Sequence, residues 1–220
     1  MKTLKHIIAL LLVAAMAFSM AACSSVSSIV QDALDSSESD IEPSRGIVTG
    51  NTYKSEFIGI QCSLDESWTI SDDEQLAQLA GMTASQIENE TVKSLLENSS
   101  VVYDFYATKD YGFETLNINM NDLGSTGIQG DSEDQIAELA RPQVESMLND
   151  SGFEGCSVVK ESIVFAGQEH PCYVITGSVS GVQVYEKMVM IIRSGVVIYV
   201  TACTLMEDTT DELLSLFTAY

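Results

Sequence analysis

The sequence predicts an α/β (α+β) domain: a mostly antiparallel central β-sheet with helices packed on both faces. Two observations carry this. The last third alternates apolar runs with two-residue Ser-Gly turns, the pattern of a β-meander. Two of those runs, "MVMIIR" and "VVIYVTA", are apolar on both faces, which marks central strands covered by helices on both sides.

Composition agrees with one folded domain plus appendages. The chain has 220 residues, 45% of them hydrophobic, enough for a substantial core. Ten Lys and Arg stand against 32 Asp and Glu, a formal charge of −22. No basic patch of any length is present, which excludes nucleic acid as a partner.

Residues 1–22 read as an export signal. Lys2 and Lys5 form a positive start, and Ile7 to Ala22 is apolar apart from Ser19. That run is shorter than the ~20 residues a membrane-spanning helix needs. "Met20-Ala21-Ala22-Cys23" resembles the lipobox of bacterial lipoproteins, whose cysteine is acylated, with palmitate for example, and becomes the mature N-terminus. The resemblance makes Cys23 the lipidation site, although Leu is usual where Met20 stands.

Without Lys2 and Lys5, eight basic residues face the same 32 acids, a formal charge of −24. Bacterial membrane surfaces are also anionic, so such a domain is repelled from the bilayer and needs a spacer. Residues 23–45 supply one: "SSVSSIVQDALDSSESDIEPSR" is rich in Ser and acids, lacks aromatics, and reads as a flexible tether.

The folded domain is expected over residues 46–220. In "GNTYKSEFIGIQCSLDESW", Ile58, Ile60, Cys62 and Leu64 alternate with polar or small residues, the period of a half-buried strand. Ser71 and Glu74 have capping-box spacing ahead of a helix carrying Leu76 and Leu79. A second helix is predicted over Thr83 to Glu97. "SVVYDFYAT" and "FETLNINMN" flank "KDYG" as a hairpin that sets Phe105 against Leu116, Tyr103 against Ile118 and Val101 against Met120. A helix over Ser132 to Asn149 follows, with Pro142 expected to kink it or mark a late start. After "CSVVKESIVFAG" come the three runs of the meander, "HPCYVITGSV", "VQVYEKMVMIIR" and "VVIYVTACT". A last helix starts near Thr209 and carries Leu213, Leu214 and Phe217.

This order of elements, with Tyr53, Phe57, Ile60, Leu64 and Trp68 in "NTYKSEFIGIQCSLDESW", resembles the PsbP/DcrB-like domain of bacterial envelope lipoproteins. Asp65 stands where that family often has Pro. The resemblance covers residues 46–220 and implies a PsbP-like sandwich and an envelope location. It carries over no catalytic residue.

Chemistry-bearing motifs are thin. Two-residue turns place Cys172 opposite Val189, and Val189 opposite Val200, whereas Cys203 lies opposite Glu186 on the other face, which disfavours a Cys172–Cys203 disulfide. His170 is the single histidine left after the signal, and "EHPC" cannot converge enough ligands for zinc. Asp122, Gly127 and Glu133 have EF-hand-like spacing, but Gly124 and Thr126 occupy positions that need oxygen ligands. No metal or cofactor is expected. The candidate binding face is the polar side of the hairpin: Asp104, Tyr106, Asn117, Asn119 and Asn121. Three Asn at period 2 in a strand are unusual, and they form either a polar platform or simply a solvated face near a sheet edge.

The expectation is a non-enzymatic lipoprotein on the extracytoplasmic face of the bacterial membrane, lipid-anchored and binding an envelope protein or a small ligand. The alternative is an envelope hydrolase with an unrecognised acidic active site, which needs convergent acid, base or nucleophile in one pocket.

Overall fold

The computed structural model describes residues 41–99, 101–126 and 132–220, and these form two antiparallel sheets packed face to face. The signal, Cys23 and most of the tether lie outside the described residues.

The larger sheet grows from the meander. β7 (Glu154–Phe165), β8 (Gln168–Val179), β9 (Val182–Arg193) and β10 (Val196–Leu205) follow one another through Ala166-Gly167, Ser180-Gly181 and Ser194-Gly195, all six residues at positive φ. That left-handed pair is what a tight two-residue hairpin requires, and it fixes register. Cys172 indeed lies opposite Val189, Val189 opposite Val200, and Glu186 opposite Cys203. The sheet continues through β6 (Glu114–Asp122) and β5 (Val102–Lys109) to the two-residue β4 (Thr69–Ile70), in the order β4–β5–β6–β10–β9–β8–β7.

The β5–β6 hairpin departs from the predicted pairing. Lys109 and Glu114 close it around a 3-10 turn, so Phe105 pairs with Ile118 and Ala107 with Leu116. A bulge between Tyr103 and Phe105 then shifts the register, placing Tyr103 opposite Asn119 and Val102 opposite Met120. The extra residue is Asp104, which leaves the asparagine face altogether.

The second sheet was not expected. β1 (Ile47–Thr49), β2 (Thr52–Ser55), β3 (Ile60–Ser63) and β11 (Phe217–Ala219) pair in the order β1–β2–β3–β11. Phe217, predicted as helical, is a strand residue opposite Cys62. The two sheets enclose the main core. Tyr53 and Phe105 stack with ring centroids 4.8 Å apart, Phe105 meets Phe217 edge-on at 6.4 Å, and Phe217 meets Phe165 at 5.7 Å.

Among the described residues, five α-helices cover both faces of the larger sheet. α1 (Asp73–Leu79) has a capping box formed by Asp72 and Gln75, one residue after the predicted pair. The predicted second helix is two: α2 (Ala84–Asn89) and α3 (Val92–Asn98), broken where Glu90 is extended and Thr91 caps the next turn. The break lets Ile87 pack against Tyr103 and Tyr106 while Leu95 joins the core between the sheets. α4 (Glu133–Asp150) starts behind Ser132, whose hydroxyl accepts from Gln135 N–H, and runs through Pro142. Its buried stripe of Ile136, Ala140, Val144 and Leu148 lies over Tyr173, Ile175 and Met188. α1, α2 and α4 thus share one face of the larger sheet, and α3, α5 (Thr210–Leu214) and the small sheet share the other.

Candidate functional site

Asn117, Asn119 and Asn121 do project from one face of β6, but none forms a solvated platform. All three are buried, opposite Thr201, Tyr199 and Val197 of β10. Asn121 Nδ2 donates to Asn119 Oδ1 at 2.9 Å, and Asn119 Nδ2 to Asn117 Oδ1 at 3.4 Å, so the side chains form a ladder within the protein. Tyr106, opposite Asn117, is also buried, and desolvation pushes its phenol up to about 12. The expected binding face is therefore an interior layer. Buried amides need hydrogen-bond partners, and neighbouring asparagines provide them.

Asp104 points the other way and is 1% exposed. It accepts from Tyr53 Oη at 2.5 Å and from Gly46 N–H at 2.8 Å, while Arg45 Nε stands 3.6 Å away and Arg45 Nη2 donates to Asp73 Oδ1 at 2.7 Å. Burial raises its pKa, opposed first by the Tyr53 hydrogen bond and then by Arg45. This cluster bolts the chain's approach to β1, together with β2 and α1, onto β5. Gly46 is required here, because a methyl at its Cα would overlap the Tyr53 ring and the Lys54 carbonyl oxygen.

A second buried carboxyl, Glu186 on β9, is 3% exposed, and its Oε1 has no hydrogen-bond partner among the described residues. Desolvation pushes its pKa up to about 8. It shares the α4 face with Cys203, whose thiol is raised first by burial and then by Glu186 itself. Asp104 and Glu186 lie on opposite faces of the larger sheet and cannot act as a pair.

Open concavities lie instead around the small sheet. Its outer face carries a groove of about 640 Å³ lined by Arg45, Ile47, Thr52, Lys54 and Tyr220. Pairing of Ile47 with Lys54 and of Thr49 with Thr52 builds its floor. Ile47 is 71% exposed and Tyr220 56%, and Lys54 Nζ sits 4.6 Å from the centre of the Tyr220 ring. The volume lies in the usual range for ligand pockets, and the lining mixes apolar and aromatic groups with the cations of Arg45 and Lys54 and the carboxylate of Glu56. Sequence reading missed these residues: the scarcity of basic side chains singles out Arg45 and Lys54, but only the fold brings Tyr220 to them.

The other motifs are absorbed structurally. His170 Nδ1 is 2.8 Å from Glu133 Oε2, and Glu133 Oε1 accepts the Ile192 N–H at 2.7 Å, so this carboxylate is already committed. The remainder of the calcium-like loop falls partly outside the described residues. Cys62, Cys156, Cys172 and Cys203 are free thiols, with burial raising the first three to between about 11 and about 12.

No family model and no curated protein matches the chain. Among solved structures, the cyanobacterial PsbP of Synechocystis is 14% identical with a TM-score of 0.47, covering 84% of this chain and 98% of its own. It belongs to the family that the Tyr53–Trp68 stretch resembles. LpqN of Mycobacterium tuberculosis, described as involved in cell envelope biogenesis, is 14% identical with a TM-score of 0.31 and coverages of 71% and 75%. At these scores neither likeness bears on function, and the α+β sandwich rests on this chain's own strand order and packing.

Proposed function

We propose that this chain is a non-enzymatic cell-envelope lipoprotein. It is held on the extracytoplasmic face of a bacterial membrane by lipid on Cys23, and it binds an envelope protein or small ligand through the outer groove of the small sheet. The observation that carries this reading is the groove itself. Arg45 and Lys54, two of the few basic side chains, stand beside exposed Ile47 and Tyr220 in one concavity. Because Arg45 is paired with Asp73 and Asp104 and Glu56 also lines the groove, Lys54 is the cation that an anionic group on an occupant meets, beside the apolar Ile47 and the Tyr220 ring.

The groove begins at Ser44 and Arg45, where the tether joins the domain, so the anchor positions it relative to the membrane. The hydrolase alternative gains nothing from the two buried carboxyls, since they face apart and neither lines the groove. In cells fed a labelled fatty acid, the wild-type chain is expected to carry label and sediment with membranes. Cys23→Ala is expected to be unlabelled and soluble. An unlabelled wild type, or a membrane-bound Cys23→Ala, contradicts the anchor.

A further inference from the structure

A smaller cleft of about 200 Å³ opens between the two sheets and shares Tyr220 with the outer groove. Gly59, Phe165, Gln168, His170, Arg193 and Tyr220 contribute to its walls. Its volume equals that of about seven waters, so it admits a compact molecule rather than a peptide. Ile58, Ile60 and Ile191 make the remaining walls largely apolar.

Arg193 distinguishes this cleft. Arg45, Lys109, Arg141, Lys160 and Lys187 each form an ion pair with a carboxylate. Among the described residues Arg193 has no ion pair, as is also true of Lys54 and Lys93, and it is the one arginine so placed, in a chain with 32 acids. Instead its Nη1 donates to the Phe57 carbonyl at 2.6 Å, which fixes the guanidinium at the mouth of the cleft. One donor of a five-donor fork is thereby used, and the others suit a carboxylate or phosphate in bidentate geometry.

The surroundings keep that fork accessible. Gly59, at a φ of +79°, leaves open the space where a Cβ would approach Arg193 Nη1 to 3.7 Å. Tyr220 N–H donates to Gly59 O at 2.9 Å, holding the shared wall. His170 contributes the ring edge not engaged by Glu133, and Gln168 adds an amide-bearing side chain.

We propose that this cleft binds a small oxyanion, a carboxylate or a phosphate on a compact body, with Arg193 as the principal ligand. Titration of the full chain at constant ionic strength tests this. Succinate and inorganic phosphate serve as separate probes, followed by calorimetry and by the NMR signals of the His170 ring. Saturable binding with half-saturation below about 5 mM, the affinity of a few direct contacts, is expected for at least one probe. Succinate alone identifies a carboxylate site, and phosphate alone a phosphate site.

Arg193→Gln is expected to weaken binding at least tenfold, and Arg193→Lys, which keeps the charge and can still reach the Phe57 carbonyl, to weaken it less. Ala219→Trp, which fills the cleft from its β11 wall, is expected to abolish it. Lys54→Gln, in the outer groove, is expected to leave it intact. That variant separates failure here from failure of the groove assignment. Equal affinity in Arg193→Gln, or no saturable binding of either probe, overturns the proposal.

Discussion

Asp104→Ala is expected to destabilise the domain by about 3–5 kcal/mol, the cost of breaking a buried charge cluster by removing one partner. The loss leaves Tyr53 Oη and Gly46 N–H without their acceptor and Arg45 without its buried counter-charge. Against a typical domain stability of about 5–15 kcal/mol, this is about a fifth or more of the total. Asp104→Asn keeps the shape and one acceptor oxygen, and is expected to cost about 1–3 kcal/mol, as is Tyr53→Phe. Urea unfolding of the two single variants and of Asp104→Ala/Tyr53→Phe gives the coupling directly. A cost below about 1 kcal/mol for Asp104→Ala would show that the cluster does not hold the small sheet in place.

Glu186→Gln is expected to do the opposite and stabilise the protein at neutral pH. The free carboxyl titrates near pH 4.5, whereas burial moves the folded group to about 8. The folded state therefore prefers the protonated form. Its contribution is fully present below about pH 4.5 and is lost as pH rises through 8. At 1.36 kcal/mol per unit, the wild type gives up on the order of 3–5 kcal/mol across that window, and the glutamine variant does not.

The repulsion of the many surface acids is common to both proteins, so the difference between their urea midpoints isolates this one group. The two stability curves should meet near pH 4.5 and separate steadily to pH 8. Parallel curves would mean that the carboxyl is hydrated or paired in the folded protein.

Both predictions concern residues whose surroundings were legible to different degrees. Glu186 was placed correctly opposite Cys203, because two-residue turns leave the meander no freedom of register. Asp104 was placed on the wrong face, because alternation along β5 assumes an unbroken strand, and the bulge beside Tyr103 carries no local signature. The asparagines on β6 read as solvent-facing because polarity at period 2 is the same whether water or a neighbouring amide satisfies it.

The small sheet escaped notice for another reason. Its strands are three or four residues long, and β11 pairs with β3 across most of the domain sequence. Both clefts share Tyr220, which is tied to Gly59 by that pairing, so neither could be assembled from local pattern.

We propose the outer groove of the small sheet as the contact surface of a tethered module. The most direct test places a photo-crosslinking residue at position 47, in the groove, and separately at position 164, an exposed site on β7, in the full chain in native membranes. A reproducible adduct, protein or small molecule by mass, is expected from position 47 but not from 164. That adduct should be lost in Lys54→Glu and in the untethered Cys23→Ala. No adduct at 47, or the same adduct from both positions regardless of Lys54, would contradict it.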